Sequence, residues 1–301
     1  MNQRTLHKKY TFEGKGLHTG KYAHMTIGPA PEDTGIRFHR VDLGADSFVD
    51  AVARNVSSTA RSTTISKGKV TVGTIEHVLS ALTGLGVDNA LIEIDSSEVP
   101  ILDGSARLYV EAIVPDGLAE QNVPRRWIEL SEEVVISDKK SGAYVKLTPS
   151  EELSYDVTIN FNSKVLGVQT VHWDPSVDYA TEVGPCRTFC FFHEIEKLLR
   201  FGLVKGGDVE NAIVIVEKPV SSRTLARMAK LLKQPEVTVS PSGYLSNLEL
   251  RFPDECGRHK LLDIMGDLRL VGGFLKARIT AYKPGHGINT KTSRTIVDKS
   301  I

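Results

Sequence analysis

Three residues within one segment could do chemistry together. In Arg258-His259-Lys260-Leu261-Leu262-Asp263-Ile264-Met265-Gly266-Asp267, the residues His259, Asp263 and Asp267 recur at i, i+4 and i+8. A helix would stack them along one face. Leu261, Leu262, Ile264, Met265 and Leu268 cover its other faces, which predicts a largely buried helix. An imidazole and two carboxylates in apolar surroundings are costly unless something charged pairs with them. A divalent metal would meet that need. The distant segment Thr74-Ile75-Glu76-His77 offers a further ligand, His77, and beside it a carboxylate base, Glu76. Two histidines, one carboxylate and an open position describe a catalytic zinc site. The chemistry expected is metal-dependent hydrolysis.

A plainer reading stands beside this one. A single His-x-x-x-Asp pair is common by chance and usually marks a contact on a helix surface, and Glu-His is commoner still. The apolar setting argues otherwise: Ile75, Val78, Leu79 and Leu82 follow helical spacing around Glu76-His77. Gly285-His286-Gly287 adds a histidine on a glycine-flanked loop. Cys256-x-x-His259 could be half of a structural zinc site, but no second Cys/His pair completes it.

The elements that must position these groups come in two similar sets. A helix is expected from Thr74, as N-cap, to a C-cap glycine at Gly84 or Gly86. A strand at 90–94, a Pro100/Gly104 loop and a helix at 104–114 follow. Near the C-terminus the order recurs: helix 258–270, Gly272-Gly273, strand 274–282, a Pro/Gly loop, and a last helix near 289–297. Further strands are expected at 22–27 and 35–39, then at 127–136, 143–147, 153–161 and 167–173. The polar stretch 115–126 reads as a linker. The fold class is therefore α+β, with two similar domains at 1–120 and 121–301, each of strands plus two helices. Each domain carries one ligand-bearing helix, so a shared metal and the active site would lie at the interface.

Between the repeats, Arg187-Thr188-Phe189-Cys190-Phe191-Phe192 leads into a helix near 194–201, then Lys205-Gly206-Gly207 and an apolar strand at 212–216. That excursion is either ordinary core or the wall of a greasy channel. Residues 221–233 form a further amphipathic helix, with Leu225, Met228, Leu231 and Leu232 on one side and basic residues opposite.

Composition bounds the rest. The 301 residues can bury two ordinary cores. With Lys plus Arg at 37 and Asp plus Glu at 37, nothing electrostatic favours nucleic acid or an anionic membrane. Cys186, Cys190 and Cys256 are too few for a disulfide framework and fit a reducing compartment. Residues 1–11 lack an apolar core and do not read as a signal peptide. No apolar run could span a bilayer. A soluble, cytoplasmic protein is expected, and nothing demands more than a monomer.

Seven segments together resemble the UDP-3-O-acyl-N-acetylglucosamine deacetylase family, in that family's order and over nearly the whole chain. They are Gly16-Leu17-His18-Thr19-Gly20, Thr74-Ile75-Glu76-His77, Pro100-Ile101-Leu102-Asp103-Gly104-Ser105, Arg187-Thr188-Phe189, Lys205-Gly206-Gly207, the His259–Asp267 segment and Gly285-His286. The resemblance implies an amidase of lipid A biosynthesis in Gram-negative bacteria. It would remove acetate from the N-acetyl group of a small nucleotide-sugar acyl substrate, in the committed step. A duplicated α+β domain is implied too, in which the two helices pack on a β-sheet.

Carried over by position, the resemblance implies zinc ligands His77, His259 and Asp263, with Fe²⁺ also suited to such a set. Glu76 would be the general base acting on the metal-activated water. Thr188 and the metal would stabilise the tetrahedral oxyanion. His286 would protonate the leaving amine, oriented and kept cationic by Asp267. Lys260 would point away from the metal and bind the nucleotide diphosphate. The insert at about 188–217 would form the passage for the 3-hydroxyacyl chain, lined by Phe189, Ile195, Val204, Gly207, Ala212 and Val214. His18 has a family counterpart near that passage, although a turn histidine is the plainer reading.

The insertion at 217–240 exceeds the usual pattern of single-activity members. It resembles members fused to a 3-hydroxyacyl-carrier-protein dehydratase, so the chain is expected to be either a free-standing variant or the deacetylase half of such a fusion. Two other classes compete with this reading: a non-catalytic module holding a nucleotide-sugar or acyl group around a structural metal, and a kinase or transferase binding phosphate at Lys205-Gly206-Gly207. Glu76 and His286 speak against the first. The lack of a Gly-x-x-x-x-Gly-Lys-[Ser/Thr] motif speaks against the second.

Overall fold

The computed structural model describes residues 1–200, 211–231 and 234–299. Two β-sheets share one topology. The first has the strand order Tyr10–Lys15, Tyr22–Pro29, Ala90–Ile94, Ile36–Arg40, Phe48–Asp50. The second runs Val134–Asp138, Ala143–Pro149, Phe274–Tyr282, Ser154–Asn160, Val168–Trp173. In each, the strand latest in sequence fills the centre, antiparallel to one neighbour and parallel to the other. Such a parallel pairing needs a long crossover, which the helices supply. The helix before each central strand is Glu76–Leu85 in one half and Glu255–Leu268 in the other; those after it are Arg107–Ile113 and His286–Lys299. The fold is α+β and internally duplicated.

The two helices that precede the central strands pack on each other across the halves. Their approach is close because position 266 is glycine: a Cβ there would lie 2.0 Å from the Glu76 carbonyl oxygen. Most residues of both helices are buried, charged ones included.

Several sequence expectations needed correction. Thr74 does not cap the first helix. Its φ is +59° and its hydroxyl donates to Glu98 Oε1 (2.8 Å), so the helix starts after Ile75 without a side-chain cap. Gly86, left-handed at φ +82°, does end it. The 115–126 stretch is no free linker: Leu118–Pro124 alternates half-buried and exposed residues and pairs antiparallel with Asn2–Leu6. The strand expected at 127–136 is broken into Trp127–Glu129, parallel to the central strand of the second half, and Val134–Asp138. The polar Ser131-Glu132-Glu133 run interrupts the alternation between them. His286 opens the last helix rather than sitting in a loop before it.

The insert contains the parallel strands Phe189–Phe191 and Ile213–Ile215 and the helices Phe192–Arg200 and Ser222–Leu231. It has its own small core, which includes Phe192, Ile195, Val214, Met228 and Leu245. The amphipathic helix thus packs Met228 into the core of the insert and leaves Arg223, Arg227 and Lys230 exposed. Among the described residues no helix is long and apolar enough to cross a membrane.

Candidate metal centre and active site

The close helix pair brings His77 from one half to His259 and Asp263 from the other. Their candidate ligand atoms all lie within 4.8 Å of one another. Asp263 Oδ1 is 3.4 Å from His259 Nε2 and 3.8 Å from His77 Nε2. Bonds of 2.0–2.1 Å in a tetrahedral site put neighbouring ligands roughly 3.4 Å apart, so the spacing suits a small divalent ion. One atom speaks for that ion directly: Asp263 Oδ1 is buried and has no hydrogen-bond partner among the described residues. A buried carboxylate oxygen left this way is costly unless a cation takes it.

The surroundings prepare the same three atoms. His259 Nδ1 lies 3.0 Å from the Cys186 carbonyl oxygen, which fixes the tautomer that leaves Nε2 as acceptor. Burial drives the His77 imidazole down to about 3 and lowers that of His259, so both rings are neutral and able to ligate. Burial opposes ionisation of Asp263, yet Lys260 and the neighbouring histidines hold its carboxyl well below the usual range. Lys260 Nζ donates to Asp263 Oδ2 at 2.5 Å. It therefore points toward the cluster, not away, and occupying Oδ2 leaves Oδ1 for the ion.

A second group of residues faces this cluster. His286 Nδ1 is 2.9 Å from Asp267 Oδ2, and its Nε2 lies 4.0 Å from Asp263 Oδ2. The start of a helix disfavours an imidazolium, and so does burial. Asp267 and Glu76 override both and raise His286 to about 9. Asp267 is fully buried and also accepts from Asn289 Nδ2 (2.9 Å) and Thr63 Oγ1 (2.5 Å). Burial raises Glu76 to about 7, against the opposing charge of His286. Glu76 Oε2 accepts the main-chain N–H of Thr63 at 2.9 Å.

Glu76, His77, His259, Lys260, Asp263 and His286 border a cavity of about 350 Å³. Thr188, Phe189, Ile195, Ala212 and His18 line it. Val214 instead lies inside the core of the insert. Val204 and Gly207 fall outside the described residues. Sequence reasoning missed Thr63 and Asn289, which carry no motif, and Phe161, whose ring meets Phe189 and Phe191 at 5.5 and 5.7 Å. It also missed a neighbouring cavity of about 500 Å³ that shares His286 and bears Lys139, Lys283 and Lys291.

The chain matches the family described as LpxC, UDP-3-O-acyl N-acetylglycosamine deacetylase, over residues 3–233 and 224–298. It belongs to the LpxC family. Relatives include a bifunctional enzyme LpxC/FabZ of Porphyromonas gingivalis, 44% identical over 294 residues, which cover 98% of this chain and 64% of that protein. A UDP-3-O-acyl-N-acetylglucosamine deacetylase of Myxococcus xanthus is 38% identical over 297 residues, 98% of this chain and 86% of that one. Another, of Pseudomonas entomophila, is 39% identical over 302 residues, 99% and 90%. This LpxC-family chain thus spans 64% of the length of the P. gingivalis relative and 63% of a similar LpxC/FabZ protein of Chlorobaculum tepidum.

Proposed function

We propose that this chain hydrolyses the acetamide of a UDP-3-O-(3-hydroxyacyl)-N-acetylglucosamine and releases acetate, at a site holding one divalent ion, zinc or Fe²⁺, on His77, His259 and Asp263. The observation that carries the reading is the orphaned Asp263 Oδ1 between two neutral, buried imidazoles. When bound, such an ion supplies Lewis acidity, polarising a carbonyl and lowering the pKa of water to about 7.

The protein's own groups do the rest. Glu76, raised toward neutrality, takes a proton from the attacking water. The Thr188 hydroxyl, on the cavity wall, offers a donor to the oxyanion. His286, held cationic against Asp267, gives its Nε2 proton to the departing amine, which cannot leave as an anion. Phe189, Ile195 and Ala212 supply apolar wall for the acyl chain. Lys139, Lys283 and Lys291, in the cavity next to His286, suit the diphosphate better than Lys260, which is committed to Asp263. We assign the reaction to the cytoplasm and to lipid A synthesis. We also propose a division near residue 120 with inserts at 188–217 and 217–240, adjusted so that the strand Leu118–Pro124 stays with its partner Asn2–Leu6.

The test pairs acetate release from that substrate with metal content of wild type, His77→Ala and Asp263→Ala. One ion per chain and turnover in wild type, both absent in the variants, is expected. A metal-free wild type, or variants that keep the ion, would sink the reading.

A further inference from the structure

Thr63 lies apart from every motif in the sequence, yet each of its polar groups is used on the site. Its N–H donates to Glu76 Oε2 (2.9 Å), its carbonyl oxygen accepts from Ile75 N (3.3 Å), and its hydroxyl donates to Asp267 Oδ1 (2.5 Å). The residue is fully buried. It is carried by neither catalytic helix. It leads into the strand Thr64–Lys67 of a separate three-stranded sheet, completed by Val56–Ser58 and Val70–Val72.

We propose that Thr63 is a positioning residue that locks the base Glu76 and the Asp267–His286 pair into one geometry across the two halves, a role that rests on the hydrolase reading above. The argument is one of accounting for oxygens. Asp267 Oδ2 takes both His286 Nδ1 and Asn289 Nδ2, each at 2.9 Å. The carboxylate plane is fixed only because Oδ1 has its own donor, and Thr63 Oγ1 is that donor. Without it, buried Oδ1 would be unsatisfied. The carboxylate would then turn to share the remaining donors, and His286 would turn with it. The same residue's N–H holds Glu76, so the base cannot shift relative to the acid while both bonds persist. A rate that needs proton removal and proton delivery on opposite sides of one carbon is sensitive to that relation.

Thr63→Val keeps the shape and removes only the hydroxyl; Thr63→Ser restores it; Thr64→Val is the neighbouring control. Metal-loaded variants are compared for kcat, KM, metal content and the ring ¹⁵N resonances of His286. For Thr63→Val we expect wild-type metal content and KM, kcat lower by about ten-fold, and displaced His286 resonances. Thr63→Ser and Thr64→Val should resemble wild type. Wild-type kcat in Thr63→Val, a Thr63→Ser as impaired as Thr63→Val, or unmoved His286 resonances would each overturn the proposal. Should Thr63→Val not fold, Thr63→Ala replaces it under the same criteria. If wild type releases no acetate, the hydrolase reading fails alone, and the ring resonances still judge the coupling.

Discussion

The two halves repeat one architecture and contribute unlike chemistry. The first supplies Glu76 and His77 from the helix before its central strand, while the helix after that strand, Arg107–Ile113, borders neither site cavity. The second supplies His259, Asp263 and Asp267 from the corresponding helix, and then His286 from the next. The difference lies in the connection. Lys283-Pro284-Gly285 joins strand to helix so briefly that His286 lands against Asp267 on the preceding α-helix. In the first half the longer 95–106 loop goes instead to Glu98, which accepts from Thr74 and from the His18-Thr19 turn. Duplication thus built a two-sided cleft, and loop length decided which side received His286.

That contrast can be broken most severely at the shared ion. Chelation, or His77→Ala and His259→Ala taken separately, should reduce acetate release to below about a thousandth of wild type. Either half should matter equally. Loss of activity on one side only, with the ion retained, would mean that the halves do not share a metal.

The next test separates base from acid. Glu76→Gln and His286→Ala should each retain the ion and lower kcat by about 10²–10⁴-fold. The double variant should be little worse than the poorer single, because the two act in one proton sequence. Fully multiplicative losses would argue that they serve independent steps.

A smaller, structural effect is expected at the seam. Gly266→Ala forces a Cβ against the Glu76 carbonyl, which is backbone and cannot swing away. It should destabilise the protein by about 1–3 kcal/mol and lower turnover, since the seam sets the Glu76–Asp267 relation. Thermal denaturation with kinetics checks this; an unchanged Tm would show that the helices can part without cost.

Mildest of all should be the lysines beside His286. Lys139→Ala, Lys283→Ala or Lys291→Ala should each raise KM by about three- to ten-fold, with kcat unchanged and the effect shrinking as salt rises. A KM indifferent to all three would move the diphosphate elsewhere.

What the chain's own order of residues determined was the set of candidate metal ligands and the repeated frame. His259, Asp263 and Asp267 lie at helical spacing, so one local rule placed them on one face. The recurrence of helix, glycine, strand and helix was likewise local, and it foretold the duplicated α+β halves. Tertiary structure alone decided what lies between elements. The resemblance implies an outward Lys260, but a four-carbon stem is long enough to curl back to Asp263. Thr63 became part of the site only when a small sheet brought it beside Glu76 and Asp267. The orphaned Asp263 oxygen, the turned Thr74 and the pairing of 118–124 with the N-terminal strand are also facts of packing. Periodicity reports which face of an element is buried; it carries no information about which distant backbone or side chain that face will meet.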